Sequence, residues 1–237
     1  MRRRFAEPTG LTRAAFISSF AIIGFTMSYL IWMYPDLPFA VPVRLIRERA
    51  VLHSFKSPLL VMLPVLVQVT LVAFIAPLVT LLLWQAQPQA AGGAEDTRRM
   101  GAAAEAVALI GAVWIAVQAF AAVRLVALWE RGQGSFGDVY TFVLVTAVAV
   151  SMVIGARTTA VVNTRRHQVA EEPGVWRLRR LYVNPGNPAL FVPARTGLGY
   201  TLNFGRPLAV VVMTVTLGFG VIGPYYVAFQ VLKGYWH

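Results

Sequence analysis

Apolar residues in this chain fall into long runs with few charges rather than into short alternating stretches. Five such runs occupy residues 14–34, 59–84, 101–129, 139–162 and 208–232. About 20 apolar residues suffice for a helix to cross the hydrocarbon core of a bilayer, so each run is long enough to do so. The pattern therefore predicts an all-α integral membrane protein with about five transmembrane helices.

Polar segments between these runs divide the chain into four parts. A basic cytoplasmic N-terminus at residues 1–13 precedes a four-helix membrane region at 14–162, which includes an outer loop at 35–58. A cytoplasmic loop block at 163–207 then leads into the fifth helix and an outer C-terminus at 208–237. The loop block is marginal in length for a core of its own, so we expect it to fold against the helix ends.

The start of the chain, Met1-Arg2-Arg3-Arg4, is typical of a signal peptide because basic residues precede an apolar run. The run at 14–34 is longer than the apolar core of a signal peptide and has no convincing small-x-small cleavage site. We therefore expect it to be a retained membrane anchor.

The first outer loop and the second run carry prolines that shape their predicted structure. Residues 43–55 are interpreted as a short amphipathic helix on the membrane surface. In the second run, Pro64 and Pro77 each lack a backbone donor and predict kinks in the helix. The basic residues expected to point from the first loop towards headgroups are Arg44, Arg47, Arg49 and Lys56.

The loop block contains the clearest local signals outside the apolar runs. Pro185-Gly186 favours a turn, because proline presets its own φ and glycine accepts a positive φ. Strand-forming residues at 181–183 and 189–192 flank this turn and predict a short β-hairpin or an irregular hairpin-like loop. Further on, apolar residues alternate with polar ones and predict a strip with one apolar face. These apolar residues are Tyr200, Leu202 and Phe204.

Composition and charge support the membrane interpretation. Of 237 residues, 57% are hydrophobic and 13% charged, whereas soluble domains average about 45–50% and about 25%. The net charge of +11 comes from 21 basic and 10 acidic residues. The basic residues flank the apolar runs, so we expect the partners to include membrane lipids with anionic headgroups and to exclude nucleic acid.

The distribution of Lys and Arg predicts the orientation in a bacterial inner (cytoplasmic) membrane. With the N-terminus inside, inner segments carry thirteen Lys and Arg residues and outer segments carry six. This excess favours a cytoplasmic N-terminus and a periplasmic or outer C-terminus. The four basic residues of the first loop are the main observation against it.

Residue types that carry chemistry are sparse. The chain has no cysteine, which excludes disulfides, thiolate metal sites and cysteine nucleophiles. We find no paired carboxylates, nucleophile elbow or phosphate-binding glycine loop, and we expect no enzymatic activity and no metal site. His53 and His167 are interpreted as interfacial polar residues; the alternative is that one of them is the axial ligand of a pigment or haem.

Small and polar residues inside the apolar runs are candidates for helix packing. Ala104, Ala108, Ala112 and Ala116 repeat every four residues, and small residues on one face let membrane helices approach closely. The alternative is that an alanine-rich composition produces such a row by chance. The central residues Gln68 and Gln118 either bond helices together or line a polar cavity, and we favour interhelical hydrogen bonds.

Two stretches of the chain resemble one known group of proteins. The loop block resembles a cytoplasmic-loop signature of small bacterial integral membrane proteins of uncharacterised function. The first outer loop, with Tyr34-Pro35-Asp36-Leu37-Pro38 and Lys56-Ser57, is similar to the first outer loop of the same group. The matching residues of the loop block are Tyr182, Asn184, Pro185, Pro188, Phe191, Val192, Pro193, Arg195, Gly197, Gly199, Thr201, Asn203 and Phe204.

That group is related to the SdpI-type toxin-immunity and signal-transducing membrane proteins. The resemblance implies a non-enzymatic membrane scaffold that senses a peptide or protein partner outside and relays inward through the loop block. The alternative is a structural accessory subunit of a larger respiratory or photosynthetic membrane complex, and small-molecule transport is a third, weaker interpretation. Candidate partner-binding or ligand-binding residues are Arg44, Arg47, Tyr182, Asn184, Asn187, Phe191, Arg195, Tyr200 and Asn203.

Overall fold

A computed structural model describes most of the chain. The described residues are 7–46, 49–85, 93–131, 136–162, 176–177, 181–187, 189–193 and 200–217. They belong to two compact units, Met1–Val161 and Val162–His237, which are treated separately below. The helices are Gly10–Met33 (α1), Pro58–Val61 (α2), Leu63–Gln85 (α3), Gly93–Arg131 (α4), Gly137–Val162 (α5) and Pro207–Leu217 (α6). The strands are Ala40–Ile46 (β1), Arg49–Phe55 (β2), Trp176–Arg177 (β3), Leu181–Tyr182 (β4), Phe191–Pro193 (β5) and Tyr200–Leu202 (β6).

Four of the described helices, α1, α3, α4 and α5, are long and apolar enough to cross a membrane. This confirms the helical membrane character predicted from the apolar runs and the first four of the predicted spans. Of the predicted fifth span, α6 covers Pro207–Leu217, and residues 218–232 lie outside the described residues. The fifth crossing therefore stays a prediction.

Local signals set the starts of α1 and α2 and the break between α2 and α3. Thr9 caps α1, because its side-chain oxygen accepts a hydrogen bond from Thr12 N at 3.1 Å. Ser57 caps α2 in the same way by accepting from Leu60 N at 3.2 Å. The predicted second span is interrupted at Met62, which separates α2 from α3 and lies two residues before Pro64. Pro77, in contrast, lies inside the continuous helix α3. The two prolines thus have different effects: only Pro64 adjoins a break.

Helix α4 packs against both α1 and α3 in the first unit. On α4, Ala104, Ala108 and Ala122 are buried, and a Cβ added at Gly111 would overlap the Cδ1 atom of Ile75 on α3. Small residues therefore let the α4 backbone approach its neighbours closely, as is common in membrane helix bundles.

The four-residue alanine row does not lie on one face of α4. Ala108 is buried, Ala112 is half-buried and Ala116 is exposed. An α-helix has 3.6 residues per turn, so each four-residue step rotates the position by about 40° around the axis. Buried residues of α4 instead follow steps of three, four and seven residues at Ala104, Ala108, Gly111, Ile115, Ala122 and Val126. Ala106, Val117 and Leu128 are also buried, at eleven-residue steps.

Helix α5 makes its described contacts with α4 near its own first turns. The rings of Phe120 and Tyr140 stack with centroids 6.3 Å apart, and Arg124 Nε donates to Phe136 O at 3.2 Å. Further along α5, large apolar side chains such as Phe142 and Met152 are exposed. The helix therefore offers most of its apolar surface to its surroundings.

The loop between α1 and α2 forms a β-hairpin, which corrects the predicted amphipathic helix at 43–55. Strands β1 and β2 pair antiparallel, from Ala40 opposite Phe55 to Ile46 opposite Arg49, with register shifts between Pro42 and Leu45. Val41, Val43 and Leu45 alternate with less apolar positions, a period of two that favours a strand. Proline also fits an irregular strand better than a helix interior.

One end of the helix bundle is closed by this hairpin and the loop before it. Leu30 of α1, Val41 of β1 and Val61 of α2 are fully buried or nearly so, and they share a cluster with Trp129 of α4. Leu37, from the loop between α1 and β1, completes this core. The hairpin is therefore anchored on the bundle through apolar contacts at its base.

The second unit contains short strands in an arrangement that differs from the predicted hairpin. Strand β4 pairs antiparallel with β3, and β5 pairs antiparallel with β6. The residues flanking Pro185-Gly186 therefore pair with different partners rather than with each other. A parallel bridge from Tyr182 to Asn203 brings β4 beside the end of β6. The physical reason lies in the side chain of Asn203, which occupies the space inside the turn.

Candidate functional site: the loop block around Asn203

The side chain of Asn203 lies at the centre of the second unit and is fully buried. Its Oδ1 accepts hydrogen bonds from Asn184 N and from Gly205 N, each at 3.0 Å. Its Nδ2 donates to the carbonyl oxygens of Asn184 at 2.9 Å and of Asn187 and Ala189 at 3.1 Å. The two N–H groups of Nδ2 are thus shared among three carbonyls, and the carboxamide contacts five backbone groups in all. We call residues 181–187, 189–193 and 200–206 the Asn203 block.

Two further asparagines shape the loop that surrounds this carboxamide. Asn184 Oδ1 accepts from Gly186 N at 3.0 Å, and Asn187 Oδ1 accepts from Ala189 N at 2.9 Å. Each side chain therefore imitates a backbone turn two residues on, which asparagine does readily. Asn187 N also donates to Asn184 O at 3.3 Å across the Pro185-Gly186 turn. The loop carbonyls consequently point inward at Asn203 instead of across a strand ladder.

Tyr182 connects the two asparagines to the strands. Its hydroxyl accepts from Asn187 Nδ2 at 3.1 Å and from Asn184 Nδ2 at 3.4 Å. Its ring is buried and meets the ring of Trp176 edge to face at 5.2 Å. Its backbone oxygen accepts from Phe204 N at 2.9 Å. Tyr182 therefore links β3, the turn and the end of β6.

Gly205 lies against the loop backbone with no room for a side chain. A Cβ at this position would lie 2.6 Å from both Asn184 C and Pro185 N. Real Cβ atoms do not approach backbone atoms this closely, so only glycine fits here. The sequence alone does not distinguish Gly205 from other glycines; its signal there is a glycine directly after Asn203-Phe204.

Arg206 joins the block to helix α6. Its Nε donates to Asn187 O at 3.0 Å and its backbone nitrogen donates to Asn203 O at 2.9 Å. Its own carbonyl accepts from Ala209 N at 3.0 Å, in the first turn of α6. Pro207 follows as the first helical residue, a position that proline favours. The block is therefore continuous with the start of α6.

Four of the predicted binding residues come together in the structure: Tyr182, Asn184, Asn187 and Asn203. Phe191 is half-buried on β5, opposite Leu202. Tyr200 lies on β6 opposite Pro193, and Arg44 lies on β1 opposite Leu52. Arg47 and Arg195 are outside the described residues, as is the candidate haem or pigment ligand His167, whereas His53 lies on β2 opposite Pro42.

The hydrogen bonds within the Asn203 block suit it to the rigid presentation of a surface. Its described asparagine side chains bond inward to backbone groups and to the tyrosine hydroxyl. The residues at the turn, Pro185 and Gly186, are exposed. Among the described residues of the whole chain, no group of three or more His, Asp or Glu is placed to hold a metal ion. The block can hold a fixed shape against which another molecule docks.

A second built feature is the position of Lys56 at the base of the hairpin. Its Nζ donates to Leu37 O at 2.8 Å, Tyr34 O at 3.0 Å and Pro35 O at 3.4 Å, and lies 4.9 Å from the centre of the Tyr34 ring. A cation is favoured at a helix C-terminus, where carbonyl groups lack helical partners. The ammonium of Lys56 therefore caps the end of α1, and its predicted position near lipid headgroups stays a prediction.

Replacing Lys56 with methionine should loosen the loop that follows α1. The substitution keeps an unbranched chain but removes the charged donor, and hydrogen bonds to charged groups contribute about 1.5–3 kcal/mol each when well formed. Because Lys56 is half-buried, we expect a loss near the low end of that range. A loss of about 1.4 kcal/mol corresponds to a factor of ten, so hydrogen exchange of residues 34–39 should become roughly 10-fold faster. Unchanged exchange, compared with Lys56→Arg as the control, would show that Lys56 does not hold this loop.

Gln68 joins the three packed helices in the interior of the bundle. It is fully buried on α3, and its Nε2 donates to Thr26 Oγ1 of α1 at 3.2 Å and to Ile115 O of α4 at 3.1 Å. Its Oε1 is buried and has no hydrogen-bond partner among the described residues. Gln118, the other predicted polar packing residue, is half-buried on α4, three residues after Ile115.

The seam of α1 that meets this interior was not recognised from the sequence. Thr12, Ser19 and Thr26 are buried at seven-residue intervals. The hydroxyls of Ser19 and Thr26 donate to the carbonyls of Ala15 and Ile22 on their own helix. These small residues therefore pack closely without presenting an unsatisfied donor, and their regular spacing was the signal available.

Replacing Gln68 with leucine should change bundle stability only slightly. The variant loses two hydrogen bonds but also removes the unpartnered Oε1, and interhelical hydrogen bonds in membranes average about 0.6 kcal/mol. Gln68→Ala should cost more, roughly 2–4 kcal/mol, because it leaves a cavity. Thermal unfolding in detergent compares the two. A leucine variant as unstable as the alanine variant would show that the hydrogen bonds dominate.

Comparison with known proteins finds one partial match. A model for a family of unknown function (DUF5808) matches residues 185–210. This segment contains the Pro185-Gly186 turn, Asn203, Gly205 and the first residues of α6. No curated protein and no solved structure matches the chain significantly. The likeness is thus confined to the Asn203 block and the start of α6.

Proposed function

We propose that this chain is a non-enzymatic polytopic membrane protein that binds a peptide or protein partner through the Asn203 block. The observation that carries the proposal is the set of hydrogen bonds between the buried Asn203 carboxamide and five backbone groups of the loop. A plain connector between two helices needs no such specification. Binding residues are commonly found on loops whose shape is fixed by a scaffold, and this loop has such a framework.

Both loops resemble one group of small membrane proteins that is related to the SdpI-type immunity and signalling proteins, and this resemblance supports the class of function. In this proposal the fixed block relays a signal between the membrane helices and a partner inside the cell. The exposed residues Pro185 and Gly186 at the turn and Leu181 on β4 offer contact points. The partner is a protein surface or peptide that is complementary to a rigid, weakly apolar patch.

Photo-cross-linking in intact cells tests this proposal. A photoreactive phenylalanine analogue at Leu181, whose side chain is 37% exposed, should give a discrete protein adduct. The adduct should disappear when Asn203→Ala is added, because the block then loses its fixed shape. The matched control places the analogue at Leu11, an exposed position on α1, where Asn203→Ala should change nothing. Absence of an adduct at Leu181, or an adduct indifferent to Asn203→Ala, would refute partner binding by the block.

We also propose that the block faces the cytoplasm, with the N-terminus inside. The excess of Lys and Arg on the segments assigned to the inside supports this orientation. Because the chain lacks cysteine, single cysteines report the side of the membrane cleanly. Asp36→Cys should react with an impermeant maleimide in intact cells, and Arg177→Cys only after permeabilisation; both positions are exposed. The reverse labelling pattern would invert the orientation and put the block outside.

A second candidate function, an accessory subunit of a larger membrane complex, is favoured by helix α5. Only 6% of its most apolar window is buried, against 22–33% for α1, α3 and α4. A subunit that packs laterally against other membrane proteins would cover this surface. Gentle detergent extraction followed by native mass measurement distinguishes the two candidates. A stoichiometric complex supports the accessory subunit, whereas a lone 26.0 kDa species excludes it.

A further inference from the structure

Two phenylalanine rings lie side by side at the base of the hairpin, where the chain enters β1 and leaves β2. Phe39 is 73% exposed and Phe55 is 72% exposed, and their ring centroids lie 5.2 Å apart. Both positions are fixed, because Lys56 N donates to Phe39 O at 2.8 Å and Phe55 pairs with Ala40 across the strands. Neighbouring exposed rings on an ordered element mark an interaction surface rather than scattered apolar residues.

This aromatic pair lies close along the chain to the end of α1, which is long and apolar enough to cross a membrane, and to the short helix α2, which leads into α3. Helix α1 ends at Met33, six residues before Phe39, and α2 begins at Pro58, three residues after Phe55. Trp32 in the last turn of α1 is 73% exposed and Leu59 in α2 is 70% exposed. The capping of Tyr34, Pro35 and Leu37 carbonyls by Lys56 Nζ keeps the base of the hairpin at this end of the bundle.

The hairpin is also basic. Between Ala40 and Lys56 the only acidic residue is Glu48. Against it stand four basic residues, namely Arg44, Arg47, Arg49 and Lys56. A segment that combines a positive charge with exposed aromatic rings complements the surface of an anionic bilayer. Aromatic rings favour the headgroup level, and basic residues are attracted to anionic headgroups.

We propose that the hairpin is a lipid-binding anchor, in which Phe39 and Phe55 enter the headgroup region of the bilayer beside the end of α1. The short connections to α1 and, through α2, to α3 hold the rings near the level at which α1 and α3 leave the hydrocarbon. The charge of the hairpin selects anionic lipids over zwitterionic ones. This surface is separate from the Asn203 block, so the two proposals stand or fall independently.

Spin-label depth measurement on the full-length chain tests the anchor. The cysteine-free sequence allows a nitroxide to be placed at Phe39→Cys or Phe55→Cys alone. The protein is reconstituted in vesicles of phosphatidylcholine with one quarter phosphatidylglycerol, and power saturation compares collisions with oxygen and with a water-soluble nickel chelate. Asp36→Cys, an exposed position in the preceding loop, is the matched control.

The anchor predicts greater access of oxygen than of nickel at positions 39 and 55, and the opposite at position 36. Omission of phosphatidylglycerol should increase the access of the nickel chelate relative to oxygen at positions 39 and 55. Nickel access at 39 and 55 equal to that at 36 would place the rings in water and overturn the proposal. Low access for both reagents would indicate a protein cover, such as a second copy or a partner, and would also overturn it. Circular dichroism of each variant verifies that the labelled protein keeps its helices.

Discussion

Replacing Gly205 with alanine should unfold the Asn203 block while the bundle of α1, α3 and α4 stays packed. The added Cβ would lie 2.6 Å from Asn184 C and Pro185 N and 2.8 Å from Asn184 N. All three are backbone atoms, which cannot rotate out of the way as the end of a side chain does. Relief requires the whole loop to move.

The loop is prevented from moving because both backbone groups of Asn184 are bonded to the Asn203 side chain. A shift that accommodates alanine therefore breaks these bonds as well. Overpacking a tight site typically costs about 1–3 kcal/mol, and we expect a cost at or above the upper end of this range. At about 1.4 kcal/mol per factor of ten, backbone hydrogen exchange in residues 181–193 should accelerate at least 100-fold.

Two other glycines provide matched controls for this substitution. Gly186→Ala places its Cβ 3.3 Å from the Asn184 Oδ1 atom, a side-chain atom, and Gly155→Ala meets nothing within 4 Å. Both should leave exchange in residues 181–193 within a few-fold of the native protein. If Gly205→Ala behaves like Gly155→Ala, the close approach of residue 205 to the turn is not a feature of the folded protein.

Replacing Asn203 with leucine should disrupt the same block through lost hydrogen bonds rather than steric overlap. Leucine has a similar shape, but it removes the bonds to the N–H groups of Asn184 and Gly205 and to three carbonyls. Of these carbonyls, Asn184 O and Asn187 O keep their bonds from Asn187 N and Arg206 Nε. An unsatisfied buried group costs about 1–3 kcal/mol. The combined loss is several kcal/mol, which exceeds what a small unit of short strands can tolerate.

Asn203→Asp separates the role of the donor from that of the acceptor. The carboxylate keeps one oxygen for Asn184 N and Gly205 N. Its second oxygen replaces the NH2 group and faces the carbonyl oxygens of Asn184, Asn187 and Ala189, so attraction becomes repulsion. We expect hydrogen exchange in residues 181–193 to accelerate as much as with leucine. Native-like exchange in the aspartate variant would show that the three donor contacts contribute little.

The membrane helices could be predicted from the sequence because their signal is local. A run of about 20 apolar residues meets the requirement for a bilayer span by itself, and α1, α3, α4 and α5 appear where such runs lie. Helix caps such as Thr9 and Ser57 depend on residues within one turn. The three asparagines and Tyr182 of the loop block are predicted as binding residues through the resemblance of that block to a known group of membrane proteins.

The sequence did not show which strands pair with each other, and two wrong predictions of local structure follow from this. The sequence of residues 43–55 is interpreted as an amphipathic helix, whereas this segment contains most of β1 and all of β2, which pair with each other. The hairpin around Pro185-Gly186 was inferred from a good turn and two flanking runs. Both runs instead pair elsewhere, because Asn203 reaches into the turn from 19 residues beyond Asn184.

Sequence alone determined which segments are apolar enough to cross a bilayer and which are polar connections. The free energy of transferring a segment from water to lipid depends on the residues of that segment. Tertiary structure decided which faces meet and which polar groups are satisfied. Gln68 bonds two other helices, Lys56 caps α1 and Asn203 organises a loop. Hydrogen bonds need a donor and an acceptor within about 3 Å of each other, and distance along the chain does not reveal that proximity.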